Sequence, residues 1–169
     1  YYFVGFLMFE FFATATQTSL TTLKDNRNLL IKSKLPRELF VLSRVLTAFV
    51  NFLLGCIPFA LVLACYRTPI TINYYMIPVV LLLLLIFTTG VSYAVSIWFV
   101  FQRDAGNIYS NFIFILRFFV AMFYSIDWVA AGVRWVIEHN PVYLYIYILR
   151  QCVVYGQRPE WMYVRNGII

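Results

Sequence analysis

Apolar runs of about 20 residues recur along the whole chain, and as helices they match the ~30 Å hydrocarbon core of a bilayer. A backbone in hydrocarbon must pair its own N–H and C=O groups, which continuous helices do internally. The composition agrees, with 63% apolar and only 12% charged residues, where a soluble domain carries about 25% charge. The expected fold class is therefore an all-α integral membrane protein. Aromatic residues make up 20% of the 169-residue chain, more than interfacial belts use, which leaves material for an aromatic-lined interior. The net charge of +6 sits in the stretches between apolar runs. The positive-inside rule accounts for it without a nucleic-acid partner.

The densest of those stretches runs from Asn26 through Leu35-Pro36 to Phe40. Six of the thirteen basic residues fall between Lys24 and Arg44, against the two acids Asp25 and Glu38. That excess puts the loop on the cytoplasmic side and orients the rest. Leu29, Leu30 and Ile31 lie among the charges, so part of the loop reads as a short amphipathic helix. Pro36 bounds it, because the residue before a proline is pushed out of the helical region.

Read in order, residues 1–23 form a first span whose second half, Ala13 to Ser19, is small and hydroxylated and suits a packed or wet face. Glu10 lies inside it, either at the outer interface or facing the bundle interior. Residues 24–38 are the cytoplasmic loop. A second span covers 39–66, with a kink expected at Pro58 and a small pair, Ala60/Ala64, suited to close packing. A short outer loop, Arg67 to Thr71, leads to a third span at 74–101. Its run Val79 to Phe87 suits lipid, and Gly90/Ala94 and Ser92/Ser96 suit a neighbouring helix. After a polar inner turn a fourth span covers 108–125. Within it Arg117 must snorkel or find a partner.

The remainder divides at His139-Asn140-Pro141. The pieces 128–138 and 142–155 would be roughly 16 and 21 Å long as helices, too short to cross the core. The pair reads as a re-entrant hairpin, with a single bent span as the alternative. Both chain ends stop in apolar sequence, so a piece of a longer protein is expected.

Nothing in the chain carries catalytic chemistry of its own. Cys56, Cys65 and Cys152 lack metal-ligand spacing and read as packing residues. His139 reads as a capping or interface residue, and Asp127 and Glu138 as interfacial anchors. No cofactor or metal is expected in this chain. Its work is a path through the membrane, with energy supplied from elsewhere.

The ordered succession of short motifs resembles the ABC-2 type permeases that export teichoic acids, O-antigens and capsular polysaccharides (type V exporter-like helical bundles). Asn26, Leu30-Ile31-Lys32 and Leu35-Pro36 resemble their first cytoplasmic loop, and Arg103-Asp104 their second inner loop. Phe123-Tyr124, Asn140-Pro141, Arg150 and Gly156 are similar to their extracellular gate. Two positions depart from the pattern: Val120-Ala121-Met122 stands before the Phe/Tyr pair, and Glu10 where a tryptophan is common. The resemblance implies about four spanning helices of a six-helix permease, plus the re-entrant gate pair, without the first and last membrane elements. It implies a coupling helix built from Asn26, Arg27, Leu29, Leu30, Ile31, Lys32, Lys34, Pro36 and Arg37, docked on a separate ABC ATPase that holds ATP and Mg. An anionic-lipid contact is the rival use of that segment.

The implied activity is export of a lipid-linked cell-surface polymer, teichoic acid or polysaccharide, across a bacterial cytoplasmic membrane. Two permease copies would form the channel between them, lined by candidates Tyr93, Trp98, Tyr109, Phe118, Phe119 and Tyr124. Alternatives are an ABC-2 drug or lipid exporter, a membrane enzyme acting on lipid-linked sugars, and a secondary transporter resting on Glu10 and Arg117. The orientation is testable: a Ser33→Cys variant is expected to react with an impermeant maleimide from the cytoplasmic side only, and reaction from outside inverts the topology.

Overall fold

The computed structural model describes residues 2–27, 31, 36–65, 76–102, 104–120 and 131–152. They form helices α1 (Tyr2–Asp25), α2 (Glu38–Cys65), α3 (Met76–Phe101), α4 (Ala105–Phe119), α5 (Ala131–Glu138) and α6 (Pro141–Arg150), and no strand occurs among the described residues.

Among the described residues, two helical stretches, Glu38–Val62 and Met76–Phe101, are long and apolar enough to cross a membrane. Helix α1, at 24 residues, is about 36 Å long but carries its hydroxyls in one half. Helix α4 has 15 residues, or about 22 Å. The sequence reading ends that span near Ser125; the described helix closes at Phe119 with Val120 as its cap, whose N–H donates to Leu116 O. Residues 121–130 lie outside the described residues. Pro58 is accommodated inside one continuous α2, and Pro78 falls in the first turn of α3, where its missing N–H costs no helical bond.

Ring contacts fix the directions. Phe3 stacks on Phe59 with centroids 5.5 Å apart, while Phe11 meets Phe49 and Phe52 at 5.7 and 5.6 Å. Advancing along α1 means retreating along α2, so the two are antiparallel. Phe12 stacks on Phe87 at 6.0 Å, and Lys24 Nζ sits 5.8 Å from the Phe99 ring centre. Both pairs are separated by the same number of residues, so α1 and α3 run parallel and in step. Helix α4 turns back beside α3: a Cβ built on Gly106 would lie 3.1 Å from Phe99 Cε2. Helix α1 is thus the centre, packed against α2, α3, α4 and α6. The charged ends Lys24, Asp25, Arg27, Arg37, Glu38 and Asp104 gather at one end of the bundle, hereafter the loop end.

Each helix buries a stripe at helical spacing. On α2 it is Val41, Val45, Ala48 and Phe52; on α3 it is Val80, Leu84, Thr88, Ser92, Ser96 and Phe99. The opposite faces, with Val50, Leu54, Ile57 and Leu61 on α2 and Val79, Leu82, Ile86 and Ile97 on α3, are open and apolar. Open apolar faces of this extent suit lipid rather than water. The sequence expectations for α3 are thereby sorted. Ser92/Ser96 face the bundle, whereas Gly90/Ala94 lie on the open side. The run Val79 to Phe87 points both ways, since Val80 and Leu84 are buried. On α2, Ala60 is also open.

Helix α6 starts at a designed break. The Asn140 side chain accepts a hydrogen bond from Val142 N at 3.0 Å, and Pro141 takes the first helical position, where it suits the turn. Tyr145 packs on Phe87 at 5.9 Å. Leu149 helps to line an apolar cavity of about 230 Å³ with Val4, Met8, Ile77 and Leu81. Phe87 stands about 16 Å along α3 from Met76 and Pro141 one turn deeper than Tyr145, so the break lies near mid-height of the bundle.

Helices surrounded by lipid associate through close packing rather than water exclusion, so small residues at contacts matter. A Cβ on Gly55 would lie 3.0 Å from Leu7 Cδ2, whereas one on Gly90 meets nothing within 4 Å. Gly55→Leu is therefore expected to destabilise the bundle by about 1–3 kcal/mol, and Gly90→Leu to change little. Thermal unfolding in detergent checks the pair; equal effects would refute this α1–α2 contact.

Candidate functional site

A helix rich in Ser and Thr can sit in an apolar bundle if its hydroxyls bond to its own backbone one turn earlier. Helix α1 does this repeatedly. Thr16 Oγ1 donates to Phe12 O at 2.8 Å, Thr18 to Thr14 O, Ser19 to Ala15 O and Thr22 to Thr18 O, each at 2.7 Å. The hydroxyls then divide by direction. Thr16, Ser19 and Thr22 are buried, while Thr18 and Thr21 are open beside Gln17, and Thr14 is half-buried. On α3, Thr88, Ser92 and Ser96 are also buried. Ser96 donates to Tyr93 O at 2.9 Å, whereas the Thr88 and Ser92 hydroxyls have no hydrogen-bond partner among the described residues.

The charged residues that the sequence left without partners meet each other. Arg117 Nη2 donates to Glu10 Oε2 at 3.4 Å. The same guanidinium lies 5.5 Å from the Phe9 ring centre, a cation–π contact. Thr14 Oγ1 approaches Glu10 Oε1 at 3.5 Å. Glu10 stands about 22 Å along α1 from Asp25, and Arg117 about 18 Å along α4 from Ala105, so the pair sits near mid-height. A single charge at that depth costs about 2.5–3.5 kcal/mol on insertion scales, and pairing offsets part of it. Side-chain exposure of 37% for Arg117 and 47% for Glu10 leaves both reachable. Beyond Glu10 a groove of about 100 Å³ continues between α1 and α2, lined by Thr14, Phe11, Ala48, Phe52 and Asn51. Asn51 was missed by the sequence reading: a single amide in an apolar span was its only signal.

The loop-end residues singled out from sequence are only partly described. Asn26 closes α1, its Nδ2 donating to Thr22 O at 2.8 Å. Arg27, Pro36 and Arg37 are exposed, and Ile31 is 72% exposed. Pro36 and Arg37 form the turn that opens α2, accepting from Leu39 N and Phe40 N. Leu29, Leu30, Lys32 and Lys34 lie outside the described residues, as does Arg103. Asp104 occupies the N-cap position of α4, where its backbone carbonyl accepts from Ile108 N at 3.2 Å.

Near mid-height, Asn140 and Pro141 start α6, and Arg150 ends it at 3% exposure. Phe123 and Tyr124 lie outside the described residues. Of the channel-lining candidates, Tyr124 lies outside the described residues and the others fall on α3 and α4. Tyr93 Oη donates to Glu38 O at 3.1 Å and ties α3 to the start of α2. Trp98 Nε1 donates to Gln102 Oε1 at 3.1 Å. Tyr109 is buried, and Phe118 and Phe119 are open on the last turn of α4. On α5, Arg134 pairs with Glu138 at 2.9 Å, and His139, just past its end, lies tilted against the Trp135 ring at 4.5 Å.

A family model described as ABC-2 type transporter matches residues 1–154. Three relatives named O-antigen export system permease protein RfbA are similar to the chain. The one from Myxococcus xanthus is 32% identical over 126 residues, 74% of this chain and 48% of that protein. Two from Klebsiella pneumoniae are 27% identical over 139 residues (82% of this chain, 54% of the relative) and 25% over 153 (90% and 59%). The chain spans about half the length of the curated relatives it matches.

The ion pair is open to a double-mutant cycle. Glu10→Gln and Arg117→Gln are each expected to destabilise, and the double variant to lose less than their sum. A coupling of about 1 kcal/mol is expected for a half-exposed pair. Additive losses in detergent unfolding would show that the two charges do not interact.

Proposed function

The chain belongs to the ABC-2 type transporter family, and from that premise we propose that it is the permease part of an ATP-driven exporter of a lipid-linked cell-surface polysaccharide. The observation that carries the polysaccharide reading is the row of O-antigen export permeases aligned over 74–90% of the chain. That similarity favours a glycan cargo over teichoic acid, a drug or a free lipid. Membership of this family makes the chain a transporter subunit in a membrane, with the nucleotide chemistry expected on an ABC ATPase. The site proposed for it is a bacterial cytoplasmic membrane crossed several times, with the loop end inside the cell.

On this reading the elbow after α1 is the coupling segment. Asn26 ends α1 by capping itself on Thr22, which frees the chain to turn. Ile31 then stands exposed on a helical residue among basic neighbours. An apolar ridge inside a charged rim is the pattern of a helix seated in a groove. Movement of the ATPases would reach α1 directly, and through Lys24 and Phe99 also α3. Helices α5 and α6, with their break at mid-height, would act as the outer gate between two permease copies.

Replacing Leu30 and Ile31 with Asp is expected to abolish copurification of the ATPase while the permease still inserts. Unchanged copurification would remove the docking role and leave the segment to lipid.

A further inference from the structure

The open face of α1 changes character at Glu10. On the side of the chain start its exposed residues are Tyr2, Phe3 and Phe6. On the side of the loop end they are Gln17, Thr18 and Thr21, closing with Lys24 and Asp25, with the half-buried Thr14 between them and Glu10. All of these lie at three- and four-residue spacing on one side of the helix. Below Glu10, α1 thus presents an unbroken polar strip that ends in an ion pair at mid-height. Hydrocarbon gives such a strip no partners, and Gln17 and the two charges cannot satisfy themselves as back-bonded hydroxyls do.

The ion pair itself is only loosely closed. The Arg117–Glu10 and Thr14–Glu10 contacts are 3.4 and 3.5 Å, where charge-assisted bonds usually run about 2.7–2.9 Å. Arg117 Nε is buried and has no hydrogen-bond partner among the described residues. The carboxylate keeps acceptor sites and the guanidinium keeps donors to spare. Asn51, which supplies both, borders the same groove together with the Phe11 ring. Acceptors, donors and a ring face at zero net charge match a neutral polyhydroxylated ligand. A lone anion would be drawn to Arg117 but repelled by Glu10.

The geometry points to a water-filled vestibule that opens at the loop end and runs up α1 past Thr21, Thr18, Gln17 and Thr14. It ends at Glu10 and Arg117, where, with Asn51, it receives sugar hydroxyls of the cargo. The identity of the cargo rests on the export reading above; the wetness of the strip does not.

The test uses the full-length permease with its ATPase in inverted membrane vesicles, with Cys56, Cys65 and Cys152 changed to Ala. Thr14→Cys and Gln17→Cys are expected to react with an impermeant thiosulfonate about tenfold faster than Leu54→Cys and Ile97→Cys on the lipid-suited faces. Lipid-linked glycan extracted from the same cells is expected to slow labelling at Thr14→Cys several-fold. That protection is expected to disappear when Glu10→Gln and Arg117→Gln are added together. Equally slow labelling at all four positions would mean that further protein covers the strip, and overturns the proposal. Fast labelling without glycan protection, or protection that survives the double change, overturns the sugar subsite. The export reading fails on a separate observation, unchanged surface polysaccharide in cells lacking the chain.

Discussion

Hydrocarbon supplies no hydrogen bonds, and most of this architecture follows from how the chain meets that constraint. Its central helix is the most polar of the long ones, which looks paradoxical until the hydroxyls are traced. Thr16, Ser19 and Thr22 bond back to the preceding turn and then bury their methyl or methylene sides. Polar composition at the centre therefore costs little. The apolar helices α2 and α3 can turn their open faces outward. Phenylalanine rings fill the seams: Phe11 meets α2 and Phe12 meets α3 from adjacent positions on the central helix. The polar remainder of α1 is left on the one side that α2 and α3 do not cover.

Much of this was legible in the sequence because it is periodic or local. Apolar runs set helix type and approximate extent, and the pair Asn140-Pro141 marked a break whose capping bond involves only neighbours. What was not legible is non-local. Glu10 and Arg117 stood out as anomalies, but nothing in a single sequence joins two residues 107 apart. Facing was equally hidden on α3. Gly90/Ala94 and Ser92/Ser96 have the same spacing, and only the position of α1 decides that the serines point inward. Asn51 escaped notice because its meaning comes from the carboxylate across the groove. The polar tips of Tyr93 and Trp98 were equally hidden, since the carbonyl and the turn amide they bond to are set by where α3 lies.

The similarity to known permeases and the geometry inform different levels. The family match fixes the class of machine, and the relatives' names suggest a glycan. Neither says which side of this bundle is wet. That information comes from the loose ion pair and from the hydroxyls left open on α1. Glu10, where the polar strip of α1 meets Arg117, is the residue on which the wet side turns.

The in-step pairing of α1 with α3 has a mechanical corollary. Two parallel rods packed ring on ring at Phe12–Phe87 and tethered again at Lys24–Phe99 resist gliding past one another. The register that lets both contacts re-form is a whole turn away, about 5.4 Å, so travelling together is the easier course. A thrust delivered at their common end would thus be shared by both rods, as along a single piston.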